Sequence, residues 1–281
     1  MCGIVGYTGS QPAQEIVLES LKKLEYRGYD SSGIAMHEDK LVICKKEGPI
    51  ENMEAELPES KSTLAIAHTR WATHGAPSDA NAHPHSDEEV SVAVVHNGTI
   101  DNYLEIKESL EAEGHNFKSD SDSEILPLLI SKYYSGNLVE AVNRTLDDIH
   151  GIFTIAAIHK DNPDEIVAVR NETPLVVGLG NSENFVSSDI YAILKYTQEI
   201  VYPEDYQIIR VTSDTVEVLD RDLNLLDYNV ETVEKYTEVA EKGGFEHFML
   251  KEIFEQPKAL QDSLTELLVE SPLERLGLDW K

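Results

Sequence analysis

The stretch IFTIAAIHKDNPDEIVAVR, residues 152–170, decides the fold class. Two runs rich in isoleucine, valine and alanine are broken by Asn162 and Pro163, residues that favour turns and interrupt a strand ladder. That spacing predicts a β-hairpin of antiparallel neighbours rather than the strand, helix, strand unit of a parallel sheet. Downstream, PLVVGLG, NFVSS, YQIIRV and VEVLD read as further short strands. Upstream, GIVGY, a strand pair in SSGIAMHEDKLVICKKEG turning at residues 38–40, TLAIAHTR and VSVAVVHNGTI extend the series. Helical spacing is confined to a few blocks. SQPAQEIVLESLKKLEYRG puts Val17, Leu21 and Leu24 on one face, with Ser10 as expected N-cap, Pro12 in the first turn and Gly28 as the stop. The acidic IENMEAELPES is expected to be partly helical or looped. NYLEIKESLEAEG, SDSEILPLLISKYYSG and NLVEAVNRTLDDIHG are consecutive helices ending at Gly114, Gly136 and Gly151, with Pro127 early in the second, where it is tolerated. Strands in runs and helices in groups predict an α+β layered fold.

The chain has 281 residues, 41% hydrophobic and 27% charged, the balance of a soluble globular protein, and no apolar run reaches the ~20 residues of a membrane span. Its start turns polar too soon for a secretory signal, which predicts a cytoplasmic protein. Acidic residues outnumber basic ones by 52 to 23, and the formal charge of −29 opposes a phosphate backbone, so no nucleic-acid partner is expected. A homo-oligomer is compatible with this composition. After Asp220 the texture becomes charged, with a KGG break and a helical run from about His247. Residues 221–281 therefore read as a linker into something else, behind a main domain of residues 1–220.

Two cysteines, Cys2 and Cys44, provide no disulfide framework and no CxxC metal pair. Cys44 lies on an expected strand, and a buried structural role fits it best. Cys2 stands directly behind Met1. Once the methionine is removed, it carries a thiol and a free α-amine with ordinary pKa values of about 8.5 and about 8, so one residue supplies nucleophile and base. Half of the ten histidines fall between His68 and His96, in a turn-rich stretch between two strands. A metal site at His74, His83 and His85 is disfavoured because there is no HExxH and no obvious carboxylate or thiolate ligand joins the three at tight spacing, and no metal is expected. Hydrogen bonding of His68, His83, His85 and His96 within a long loop is the plainer explanation. Asn97 and Gly98 in HNG offer amide donors for an oxyanion or a simple turn. Arg70 suits a carboxylate, and Asp122 suits an ammonium group or, like Asp120 and Ser121, a helix N-cap.

Taken in order, MCGIVGY, LEYRGYDSSGIA, AHTRWATHG, NAHPH, VVHNG and SDSDSE resemble the glutaminase domain of the glutamine–fructose-6-phosphate aminotransferase family, a class II glutamine amidotransferase. The resemblance extends through GFEHFMLKEIFEQP, to about Leu260, and favours the hexosamine-forming branch over the purine and asparagine branches. It implies an N-terminal nucleophile hydrolase fold, a four-layer sandwich of two antiparallel sheets between helical layers. It implies Cys2 as nucleophile, Asn97 and Gly98 as oxyanion hole, Arg70 for the α-carboxylate and Asp122 for the α-ammonium of L-glutamine. Thr73 and His74 would line the pocket, Trp71 would gate ammonia, and Arg27 would support the cysteine terminus. No cofactor is implied. The family continues into a sugar-isomerase half that receives the ammonia. Here that half is missing, and the tail LQDSLTELLVESPLERLGLDWK does not resemble it.

Overall fold

A computed structural model describes residues 2–233, 244–245 and 248–269. The chain opens with β1 (Gly3–Gly9), α1 (Ala13–Lys22), β2 (Ser31–His37), β3 (Leu41–Glu47), α2 (Ile50–Glu54), β4 (Leu64–Arg70), β5 (His85–Ser86) and β6 (Val92–Ile100). Three helices follow, α3 (Tyr103–Ala112), α4 (Ile125–Tyr133) and α5 (Leu138–Asp148). Next come β7 (Gly151–His159), β8 (Ile166–Asn171), β9 (Val176–Leu179), β10 (Glu183–Ser187), β11 (Glu199–Val201), β12 (Ile208–Val211), β13 (Val216–Leu219), β14 (Leu225–Leu226) and β15 (Glu231–Thr232). The last described element is α6 (Phe248–Val269).

The hairpin expected at residues 152–170 forms as β7 and β8, with Ala156 opposite Ala168. Among the described residues the strands make two sheets, in the orders β15-β11-β9-β10-β1-β4-β2-β3 and β14-β13-β12-β8-β7-β6-β5. Their paired strands are antiparallel. Alternation along each strand assigns the two faces. Val5 and Tyr7 of β1 join Val17, Leu21 and Leu24 under α1, whereas Ile4 joins Ile66 of β4 and Val95, Ile158 and Ile166 of the other sheet. Val92 and Val94 point the other way, onto α4 and α5. The result is the expected four-layer arrangement, helices, sheet, sheet, helices. Its central layer is buried apolar material, in which each fully buried Ile or Leu stabilises by about 1.5–3 kcal/mol.

Several local expectations change. Ser10 does not cap α1; the helix starts at Ala13 behind Pro12, and Ala13 N donates to Ser62 O at 2.7 Å while Gln11 N donates to Tyr7 Oη at 3.2 Å. At Ala13 the tertiary acceptor Ser62 O thus replaces a local cap. Before α4, residues Asp122–Glu124 form a 3-10 turn whose cap is Ser121, not Asp122. Cys44 is half-buried on β3, its Sγ 3.7 Å from Met53 O, rather than enclosed. The change of texture at Asp220 does not end the sheets, because β14 pairs with β13 and β15 with β11. One compact unit extends through Thr237, and a second begins at Glu238.

Helix α6 belongs to that second unit and carries Pro257 inside it. The expected helical run near His247 is thus found from Phe248. The KGG break as a whole and the tail beyond residue 269 lie outside the described residues. No helix among the described residues is long and apolar enough to cross a membrane.

Candidate active site

Strand parity assembles the site. Cys2 precedes β1 in register with Ile4, and on β4 the residues after Ile66 that share its face are His68 and Arg70. From the facing sheet, β6 supplies Asn97, two residues beyond Val95. Because Gly3 pairs with Thr69, Cys2 comes to lie beside Arg70 and the loop that follows it. Trp71 N donates to Cys2 Sγ at 3.3 Å, and Arg27 Nε and Asn97 Nδ2 both donate to the Cys2 carbonyl, at 2.9 and 3.2 Å. Burial pushes the Cys2 thiol above its ordinary range; the Trp71 hydrogen bond and the nearby Arg70 and Arg27 charges oppose that shift.

Arg70 is buried, and its Nη2 donates to the backbone carbonyls of His74 and Gly75, the latter at 3.1 Å. Its Nη1 is also buried but has no protein partner. Burial lowers the guanidinium from its ordinary range, offset by Cys2, Asp122 and Asp30. Its unpaired N–H groups leave room for a hydrogen-bond acceptor from outside the chain. Asp122, likewise buried, accepts from Ile100 N at 2.9 Å and from Ser123 Oγ at 3.3 Å. The carboxylate therefore acts in the tertiary structure and not as a helix cap.

The loop residues divide. Trp71 is 38% exposed and meets Tyr29 edge-on at 5.7 Å between ring centroids, while Thr73 is exposed. His74 contributes its carbonyl to Arg70 and packs its ring against Tyr103 at 5.4 Å. Gly98 sits at φ +121°, and a Cβ there would fall 2.0 Å from Ile152 O, so glycine is required by the close approach of β6 and β7. Gly28 has the same kind of reason: a Cβ would lie 2.6 Å from the Arg70 carbonyl carbon.

Sequence reasoning missed the supports. Asp189 accepts from Tyr26 Oη at 2.5 Å and from Arg27 Nη1 at 3.4 Å, and so anchors the arginine that holds Cys2. Asp30 accepts from Ala72 N at 2.8 Å and, through its own N–H, bonds Arg70 O at 3.0 Å, which fixes the loop carrying Trp71. The histidines are not scattered along one loop either. His68 and His96 lie on β4 and β6, and with His83 and His85 they form a buried stack; the rings of His68 and His83 are 4.1 Å apart. His96 bonds Ser123 Oγ at 2.7 Å, whereas both nitrogens of His83 and Nε2 of His85 have no protein partner.

Residues 68–195 match the family described as the glutamine amidotransferase domain. The chain is 50% identical over 268 residues to glutamine–fructose-6-phosphate aminotransferase (isomerizing) of Caldanaerobacter subterraneus subsp. tengcongensis, covering 94% of this chain and 44% of that protein. It is 49% identical over 274 residues to the enzyme of that name from Aquifex aeolicus, covering 94% and 45%. The chain thus spans less than half the length of these relatives. Among solved structures, glutamine phosphoribosylpyrophosphate amidotransferase from B. subtilis, complexed with ADP and GMP, superposes with a TM-score of 0.68 at 24% identity, covering 80% of this chain and 50% of that one. At that identity the likeness speaks for the fold: two antiparallel sheets with flanking helices.

Proposed function

We propose that the chain, whose residues 68–195 match the glutamine amidotransferase domain family, hydrolyses L-glutamine to glutamate and ammonia through a thioester on Cys2. The observation that carries this reading is the convergence on Cys2: a thiol within reach of Trp71 N–H, an Asn97 amide nitrogen at its carbonyl, and an unpartnered Arg70 nitrogen beside it. With Met1 removed, the α-amine of Cys2 takes the thiol proton as Sγ attacks the side-chain carbonyl carbon. The second N–H of the Asn97 amide, with the Gly98 backbone, receives the developing oxyanion. As the C–N bond breaks, the amine passes its proton to the departing ammonia, and water then cleaves the thioester to glutamate. Arg70 holds the substrate α-carboxylate and Asp122 its α-ammonium, while Trp71, Thr73 and His74 line the pocket and Arg27 steadies the nucleophile. In a protein that carries the remaining half of the relatives' length, the ammonia would pass to fructose 6-phosphate.

The test is glutamate release from glutamine by protein whose intact mass shows loss of Met1. Wild type is expected to turn over and Cys2→Ala to be inactive; equal activity in the two overturns the mechanism.

A further inference from the structure

The amide of Asn97 has an oxygen end and a nitrogen end of nearly equal size, so its partners decide which end faces Cys2. One partner is the Cys2 carbonyl, an obligate acceptor, 3.2 Å from Asn97 Nδ2. The other is His68 Nε2, 3.0 Å from Asn97 Oδ1 and 3.0 Å from the His96 carbonyl oxygen. Facing two acceptors, Nε2 must carry the ring hydrogen. The companion Nδ1 is buried without a protein partner, as suits the bare nitrogen of a neutral ring. Burial holds His68 down to about 3, so the ring remains neutral and this tautomer serves across the neutral range. A flipped amide would set Asn97 Oδ1 against the Cys2 carbonyl and its NH2 against the His68 N–H, two repulsive contacts in a buried place.

We propose that His68 is a positioning residue for the oxyanion donor: its Nε2–H holds Asn97 Oδ1 and thereby turns the amide nitrogen towards the cysteine. His68 itself does not touch substrate. The kinetic part of this inference rests on the glutaminase reading; the geometric part does not.

Two substitutions separate a donor from a filler. Gln places an amide nitrogen near the position of imidazole Nε2, whereas Leu fills much of the same space without a donor. His68→Leu is expected to lower kcat for glutamine hydrolysis by about 10²-fold, the order lost when an oxyanion donor is misplaced, with KM changed by less than about threefold. His68→Gln should restore at least about tenfold of that loss. In an Asn97→Ala background His68→Leu should cost almost nothing more, because the group it positions is gone. Equal losses in the Leu and Gln variants, a rise in KM alone, or full additivity with Asn97→Ala overturns the assignment. NMR of the free protein supplies a readout that needs no turnover. The Asn97 side-chain amide protons should show contacts to Cys2 in wild type and in His68→Gln, and lose them in His68→Leu. If wild type releases no glutamate, the proposed function fails while the NMR comparison still decides the role of His68. Should the Leu variant not fold, His68→Met serves as the second variant without a donor.

Discussion

Along β1, β4 and β6 the side chains facing the opposite sheet change character within a few residues. Ile4, Ile66 and Val95 are buried and purely apolar; Cys2, just before β1, and His68, Arg70 and Asn97, further along β4 and β6, share those faces and are polar and mostly buried as well. The first group gains free energy from leaving water. The second group incurs a desolvation cost, only partly recovered through hydrogen bonds, since Arg70 Nη1, His68 Nδ1 and His96 Nε2 lack protein partners. One layer therefore holds two regions with opposite purposes: the apolar end stabilises the sandwich, and the polar end is held in shape by it. Substitutions in the two regions should accordingly separate stability from activity.

The largest separation is expected at Cys2, the proposed nucleophile. Cys2→Ala should reduce glutamine hydrolysis by at least ~10⁴-fold, in keeping with loss of a nucleophile, while shifting stability by less than about 1 kcal/mol in urea unfolding. Cys44→Ala, half-buried on β3 and away from the site, serves as the matched control and should retain full turnover. A large stability loss in Cys2→Ala would show that the polar end also supports the fold. Next comes the apolar end. Ile66 is fully buried between the sheets, so Ile66→Ala should destabilise by about 2–5 kcal/mol through lost transfer energy and cavity formation. Measured well below its unfolding midpoint, its kcat should stay within about threefold of wild type, because a cavity lowers the folded fraction rather than altering the chemistry. Asn97→Ala belongs to the polar end and should lower kcat by ~10²–10³-fold with little change in KM.

How much of this division is legible in the sequence follows from the range of each interaction. Alternation in VSVAVVHNGTI and TLAIAHTR places Asn97, His68 and Arg70 on the face of Val95 and Ile66 by local periodicity alone, and the hairpin at residues 152–170 gives the antiparallel sheets. Cys2 stands out because of its position. The supports do not stand out, because Asp189 meets Arg27 across 162 residues and Asp30 meets Ala72 across 42, and no local pattern encodes such contacts. The start of α1 fails for the same reason, its cap being replaced by Ser62 O, 49 residues from Ala13. Likewise the short strands β14 and β15 are invisible in a charged segment, since pairing with β13 and β11 rather than their own composition makes them strands.

The comparison is sharpened by acid. Burial, followed by the surrounding positive and histidine groups, holds His83 and His85 well below the usual histidine range; burial also lowers His96, which Asp122 partly opposes, and holds His68 down to about 3. In the unfolded chain each titrates near ~6.5. The depressed folded values mean that their contribution to stability is fully present above about pH 6.5 and is lost as pH falls towards the folded values, because the unfolded state binds protons that the folded state refuses. Each such ring contributes a slope approaching 1.4 kcal/mol per pH unit, about one proton's worth, once the pH is well below ~6.5. His83→Leu removes one of these protons together with a ring whose nitrogens have no protein partner. Urea unfolding between about pH 6 and 5, above most of the carboxylate range, should therefore show a shallower loss of stability in the variant, by about 1 kcal/mol per pH unit. Little cost is expected at pH 7, where an apolar replacement relieves a desolvated ring. An unchanged slope would mean that His83 accepts its proton in the folded protein, and that the polar end of the layer is wetter than the apolar end by more than its side chains reveal.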